Sequence, residues 1–206
     1  MELRGLADFV LGMVGNDGKI ITDPDLGLSA NGLFKVDLNS SAGAVQANIT
    51  GLSTTPEKVY GSNAVAEQNI GTIQPQIALT ANDIPHDVYD KLAGLVSDTV
   101  NGGFAARSGT LVQGGVVVHS QNREGTIDAY FAFPFGVFTP GELNIQTNQQ
   151  NPTVVHDALT LSIQARPTDS LVYQKFYSDE DKFDYEKMLA YVFPGYQAAG
   201  TNPSKS

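Results

Sequence analysis

Leu159, Leu161, Ile163 and Ala165 alternate with Thr160, Ser162, Gln164 and Arg166. An apolar period of two over this length fits a strand with one face buried and the other in water. The same period recurs along the chain. Phe34, Val36 and Leu38 alternate with Lys35, Asp37 and Asn39, and Ile73, Ile77 and Leu79 are set against Thr72, Gln74 and Gln76. Pro75 predicts an edge or bulged position there, because proline has no N–H for a ladder. Phe9, Leu11 and Met13 alternate with Val10, Gly12 and Val14. That run predicts a first strand buried on both faces or lying between subunits. Leu111 to His119 and Thr126 to Phe133 predict a hairpin across Gln121 to Gly125, with Ile127, Ala129, Phe131 and Phe133 on one face. Pro167-Thr168-Asp169 then turns the Leu159 strand into Leu171 to Tyr177. Abundant Gly (21 residues), Thr and Asn agree with strands and turns rather than a helix bundle.

Against this background one amphipathic helix is expected from Asp83 to Val96. Asp83 is the expected N-cap and Pro85 sits in the first turn, where its missing N–H costs nothing. Ile84, Val88, Leu92 and Leu95 fall on one stripe as its packing face, and Asn101-Gly102-Gly103 closes the segment. A shorter C-terminal helix is expected to begin at Ser178-Asp179-Glu180-Asp181, with Tyr185, Leu189 and Val192 inward and Pro194-Gly195 as its stop. Residues 197–206 are small and polar and read as a flexible tail. The 206 residues suit a single domain over residues 1–196, large enough for a core that needs no staple.

One stretch breaks the pattern. From Asn39 to Asn69 the chain is polar and sparsely apolar, which is long for a connection inside a compact domain and marks a functional excursion. Its polar and small positions include Asn39, Ser40, Ser41, Gly43, Thr54, Thr55, Pro56, Glu57 and Lys58.

Charge and motifs narrow the function classes. The chain carries 22 acidic against 12 basic side chains, a formal charge of −10. Tight nucleic-acid binding needs the opposite balance, to neutralise phosphates and release counterions. No stretch approaches the ~20 apolar residues of a membrane helix, and Gly5 to Gly15, with Asp8 in its middle, reads as a strand rather than a leader. Cysteine is absent, so thiol chemistry is too. His86, His119 and His156 show no metal-ligand spacing. Asp23-Pro24-Asp25-Leu26-Gly27 has its glycine one place early for a calcium loop, and Phe34 stands where a bidentate Glu is required. Helix capping and a solvated face account for Asp179, Glu180, Asp181, Asp184 and Glu186. No nucleophile elbow or phosphate loop is present. Asn39-Ser40-Ser41 and Asn48-Ile49-Thr50 read as chance glycosylation sequons. No catalytic residue, metal site or cofactor is therefore expected, and the chain reads as non-enzymatic.

The order of elements now carries a resemblance: a strand pair broken by a long polar excursion, a strand, one helix ending in Gly-rich sequence, an aromatic hairpin strand, and a regular closing strand. It resembles the major tail proteins, or tail tube proteins, of long-tailed bacteriophages (siphophages) that infect Gram-positive bacteria. The likeness is local in three places: Val59 to Asn69 running into Ile73 to Thr80; Ile84 to Leu95 with Gly102-Gly103-Phe104; and Tyr130-Phe131-Ala132-Phe133-Pro134 leading to Leu159 through Ala165. It is one of pattern and order from about Phe9 to Tyr177, without a strict motif.

The resemblance implies a β-sandwich or barrel-like domain of two packed antiparallel sheets with a flanking helix. It further implies self-association into hexameric rings that stack into a hollow tube conducting DNA from capsid to host, without sequence-specific contact. Residues 39–69 would be the loop that reaches the adjacent ring, with Asn39, Ser40, Ser41, Gly43, Thr54, Thr55, Pro56, Glu57 and Lys58 as its candidate contacts. A tape-measure protein and tail-end or terminator proteins would be partners, with assembly in the host cytoplasm and the virion tail as destination. A related alternative within the structural class is a tube protein of a contractile injection machine, whose subunits have a similar fold. The alternative from another class is a carbohydrate-binding β-sandwich adhesion module using tyrosines such as Tyr60 or Tyr196 as platforms and calcium in loops near Asp23 and Asp25. A hydrolase with dispersed carboxylates comes last.

Overall fold

The computed structural model describes residues 1–62, 64–143, 145 and 156–197. Strand β1 (Leu3–Met13) is followed by β2 (Leu33–Val36), the one-turn helix α1 (Leu38–Ser41), β3 (Ala44–Thr50) and a hairpin of β4 (Glu57–Gly61) and β5 (Ala64–Asn69). Then come β6 (Gln76–Ala81), helix α2 (His86–Leu92), and a small hairpin of β7 (Leu95–Ser97) and β8 (Phe104–Ala106). The chain continues with β9 (Val112–Asn122), β10 (Asp128–Pro140), β11 (Asp157–Ile163), β12 (Gln174–Tyr177) and helix α3 (Tyr185–Val192).

Eight strands form one antiparallel sheet in the order β2-β1-β9-β10-β11-β6-β3, with β12 also paired to β10. The two packed sheets expected from the sequence are two parts of this continuous sheet, and the described strands do not close into a barrel. The change of direction lies in β10. Its register to β9 shifts between Phe133 and Gly136, so Ala129 to Ala132 pair with β12 and Gly136 to Pro140 pair with β11. Pro134 falls in the irregularity, where no ladder donor is lost. A Cβ on Gly115 would stand 2.6 Å from the Phe133 carbonyl oxygen, and one on Gly136 would stand 2.5 Å from that of Ser162. Only glycine lets these backbones approach so closely.

Folding the sheet over buries one core. Phe9, Leu11, Val116, Val118 and Phe133 meet Ile77, Leu79, Leu159 and Leu161, and α2 adds Val88 and Leu92. Burying each such side chain contributes about 1.5–3 kcal/mol. The opposite face of β1, β9 and β10 is also covered. Val10, Val117 and Ala132 pack there against Met188, Leu189, Val192 and Phe193 of α3 and its end. Phe9 to Leu11 of β1 are thus buried on both faces, Phe9 and Leu11 on one and Val10 on the other, which explains the apolar run there.

Several boundaries differ from expectation for local reasons. Leu38 does not extend β2. Asp37 caps α1 through its side chain, accepting from the Asn39 and Ser40 N–H groups, and this turns Leu38 outward to 82% exposure. Strand β6 is interior, between β11 and β3, so Pro75 marks neither an edge nor a bulge; it precedes the strand, and its carbonyl accepts from Ile163 N–H. Helix α2 is shorter than Asp83 to Val96. Pro85 is its N-cap, and Gly94 takes φ +78°, the left-handed conformation that ends helices. Gly102 and Gly103 lie in the β7–β8 turn instead. Helix α3 starts after Asp184, whose carboxylate accepts from Lys187 N–H, rather than at Ser178. Strand β11 stops at Ile163 and β12 begins only at Gln174. Of the expected flexible tail, residues 198–206 lie outside the described residues.

Candidate assembly surfaces

The polar excursion divides into two physically different parts. Asn39, Ser40 and Ser41 form α1 and are bound into the body of the fold. Ser40 Oγ accepts from Asp37 N–H at 3.0 Å and donates to the Lys35 carbonyl, and Ser41 is buried. The Ser40 backbone N–H holds the Asp37 carboxyl below its ordinary range. Ala42 and Gly43 take positive φ, and their carbonyls accept from the Asn82 side chain and N–H. Among the described residues strand β3 then joins the main sheet through β6 alone, so its other edge carries no strand there. Ala47 and Ile49 pack on the core while Val45, Gln46, Asn48 and Thr50 stay at the surface.

The second part projects. Gly51, at φ +70°, crosses against the Gln74 backbone as the chain leaves the sheet, and Thr54 Oγ1 donates to the Gly71 carbonyl at 3.1 Å. Thr54, Thr55 and Pro56 connect to the hairpin, and Glu57 and Lys58 begin β4. Register runs from Glu57 opposite Asn69 to Gly61 opposite Ala64. All of β5 is exposed, and Val59, Tyr60, Val65 and Ile70 stand in solvent at 46, 70, 44 and 77%. A two-stranded hairpin with both faces wet is marginal by itself. Exposed β-branched and aromatic residues on such an element mark a surface that gains by being covered.

The structure therefore brings Thr54, Thr55, Pro56, Glu57 and Lys58 to the root and start of a projecting hairpin, and places Asn39, Ser40, Ser41 and Gly43 apart from them in the body. On the helical side, Ile84, Val88 and Leu92 are buried, whereas Leu95 lies in β7, partly exposed. Sequence reasoning passed over the β3 edge. Its signal was the alternation of Ala47 and Ile49 with Gln46, Asn48 and Thr50, blurred by small residues and by a register shift between Ala44 and Gln46.

A groove of about 830 Å³ opens between the loop after β1, α2 and the β7–β8 hairpin, with Met13, Ile21, Leu26, Leu95, Phe104 and Leu111 among its walls. Lys91 stands beside it and donates to the Pro24 and Gly27 carbonyls at 2.7 and 3.0 Å. Its ammonium occupies the acceptors of the acidic loop, and the Asp23 carboxylate accepts from the Asp25 and Leu26 N–H groups. Among the described residues no cluster of three acidic or imidazole groups has metal-binding geometry. Tyr60 is exposed on the hairpin, while the Tyr196 hydroxyl donates to Glu186 at 2.9 Å.

The sequence profile of the phage tail tube protein family matches residues 1–201. No curated protein matches the chain. Among solved structures it is similar to a chain of the anti-feeding prophage baseplate, seen by six-fold symmetrised cryo-electron microscopy. The identity is 13% and the TM-score 0.41, over 85% of this chain and 97% of that one.

Proposed function

Because this chain belongs to the phage tail tube protein family and is a structural subunit of the virion tail, we propose that six copies close into a ring, that rings stack into a hollow tube, and that the tube conducts DNA. The observation that carries the stacking role is the β4–β5 hairpin, a projecting element with Val59, Tyr60 and Val65 exposed. In this reading residues 54–69 reach the next ring, and the edge of β3 away from β6 pairs with a neighbour within the ring. Pairing removes an edge that would otherwise invite uncontrolled association.

Acidity suits the channel. Six copies at −10 each give a ring about −60 in formal charge, and carboxylates on its lumen repel phosphates and keep a passing duplex off the wall. The subunit has no catalytic task in this account. Assembly takes place in the host cytoplasm, with a tape-measure protein inside the tube and terminator proteins at its ends. The resemblance supports a siphophage of a Gram-positive host.

Replacing residues 57–69 with a short Gly-Ser linker tests the hairpin. Negative-stain microscopy is expected to show tubes from the intact protein and single rings from the variant. Tubes of equal length from both would remove the hairpin from the stacking contact.

A further inference from the structure

Asp8 in β1 is a buried carboxylate in the middle of an apolar strand, and such a charge needs partners. It has two. His119 Nδ1 lies 3.0 Å from Asp8 Oδ2, and Lys35 Nζ of β2 lies 3.2 Å from the same oxygen. The other imidazole nitrogen is also engaged: Nε2 lies 3.0 Å from Asp128 Oδ1 of β10, which accepts from Gln121 Nε2 at 2.9 Å. Both nitrogens of one ring thus face carboxylates. A neutral imidazole has one N–H and would present a lone pair to one of them, so the arrangement is complete only with the imidazolium.

This ring also supports the C-terminal segment. Tyr130 stacks on His119 with centroids 4.6 Å apart, and on Phe183 at 5.4 Å. Tyr185 of α3 tilts against Tyr130 at 5.6 Å. Ser178 N–H donates to the Asp128 carbonyl at 2.9 Å, and Asp128 N–H donates to Ser178 Oγ at 2.8 Å. Asp128 and Tyr130 therefore each touch both His119 and the segment that carries α3.

We propose that His119 is a protonation-dependent clamp: its imidazolium joins β1, β9 and β10 into the platform on which Ser178 to Phe193 docks, and losing its proton loosens that docking. Asp8 from β1 and Asp128 and Tyr130 from β10 face it directly; behind them stand Lys35 of β2 on Asp8, Gln121 of β9 on Asp128, and Tyr185 of α3, with its neighbour Glu186, against Tyr130. Burial pushes the imidazole down, but the hydrogen bonds and charges of Asp8 and Asp128 outweigh it and hold His119 above its ordinary 6.5. Protonated, the ring also attracts the face of Tyr130. Since the folded value is raised, the clamp is fully engaged below about 6.5 and is lost as pH rises through the folded value.

The test uses the full chain. Long-range proton–nitrogen spectra of His119 are expected to show both nitrogens protonated at pH 6, with a titration midpoint above 6.5. Amide hydrogen exchange in Tyr185 to Val192, corrected for its intrinsic pH dependence, should quicken about tenfold or more as His119 loses its proton, the scale of one lost charged hydrogen bond. H119Q should show that faster exchange at neutral pH with no further pH step. D128N, which keeps one bridge, should lower the His119 midpoint by about one pH unit, and it serves if H119Q does not fold. A His119 midpoint at or below 6.5, or α3 protection indifferent to its titration, overturns the proposal.

Discussion

Arg166 shows how one side chain can hold the end of a helix. It is buried, and its guanidinium donates to both Asp169 oxygens at 2.9 and 2.6 Å and to the Tyr191 carbonyl at 2.8 Å, with the Tyr191 ring 5.0 Å away. The hydrogen bond from Arg166 brings the Asp169 carboxyl down to about 2. Because that value lies below the ordinary 3.8, this contribution is present above 3.8 and is lost as pH falls toward 2. Arg166→Met keeps the bulk but leaves the Tyr191 carbonyl without this donor. A loss of about 1–3 kcal/mol is expected in urea unfolding, together with a weaker acid-side dependence than the intact chain shows. In the sequence Arg166 is only the polar member of an alternating pair. Its role depends on Tyr191, which is remote in the chain, and no local pattern records that.

At the level of elements, the bent sheet and α2 were legible to different depths. The period of two located β1, β9, β10 and β11 because each has a face that must be dry. It could not show that β10 changes partner from β12 to β11 while also pairing with β9, since the bend is marked only by Pro134 and by glycines whose close approaches involve other strands. Gly115→Ala sets a methyl against the Phe133 carbonyl and is expected to cost about 1–3 kcal/mol, read as a lowered Tm. The helical stripe fits Leu92 and Leu95 equally well on paper, yet Gly94 ends the helix between them. Leu92→Ala should therefore cost about 2–5 kcal/mol, and Leu95→Ala clearly less, as two urea titrations would show. The excursion was visible as a polar stretch, but its composition could not separate Asn39 to Gly43, satisfied within the body, from the hairpin that leaves it.

For the whole molecule, the family places the chain in the phage tail, and the proposed assembly rests on surfaces a lone subunit leaves uncovered. A subunit at −10 repels its copies. Salt screens that repulsion while leaving apolar and backbone contacts intact, so association should strengthen between 50 and 500 mM salt as the Debye length falls from about 14 to about 4 Å. Sedimentation at both salt levels checks this. If the β4–β5 hairpin spans neighbouring rings, a cryo-electron microscopy reconstruction of tubes formed by the purified chain shows it most directly. Density for Glu57 to Asn69 is predicted to leave its own ring and lie against subunits of the next. A hairpin folded back on its own ring, or standing free in solvent, would contradict the account.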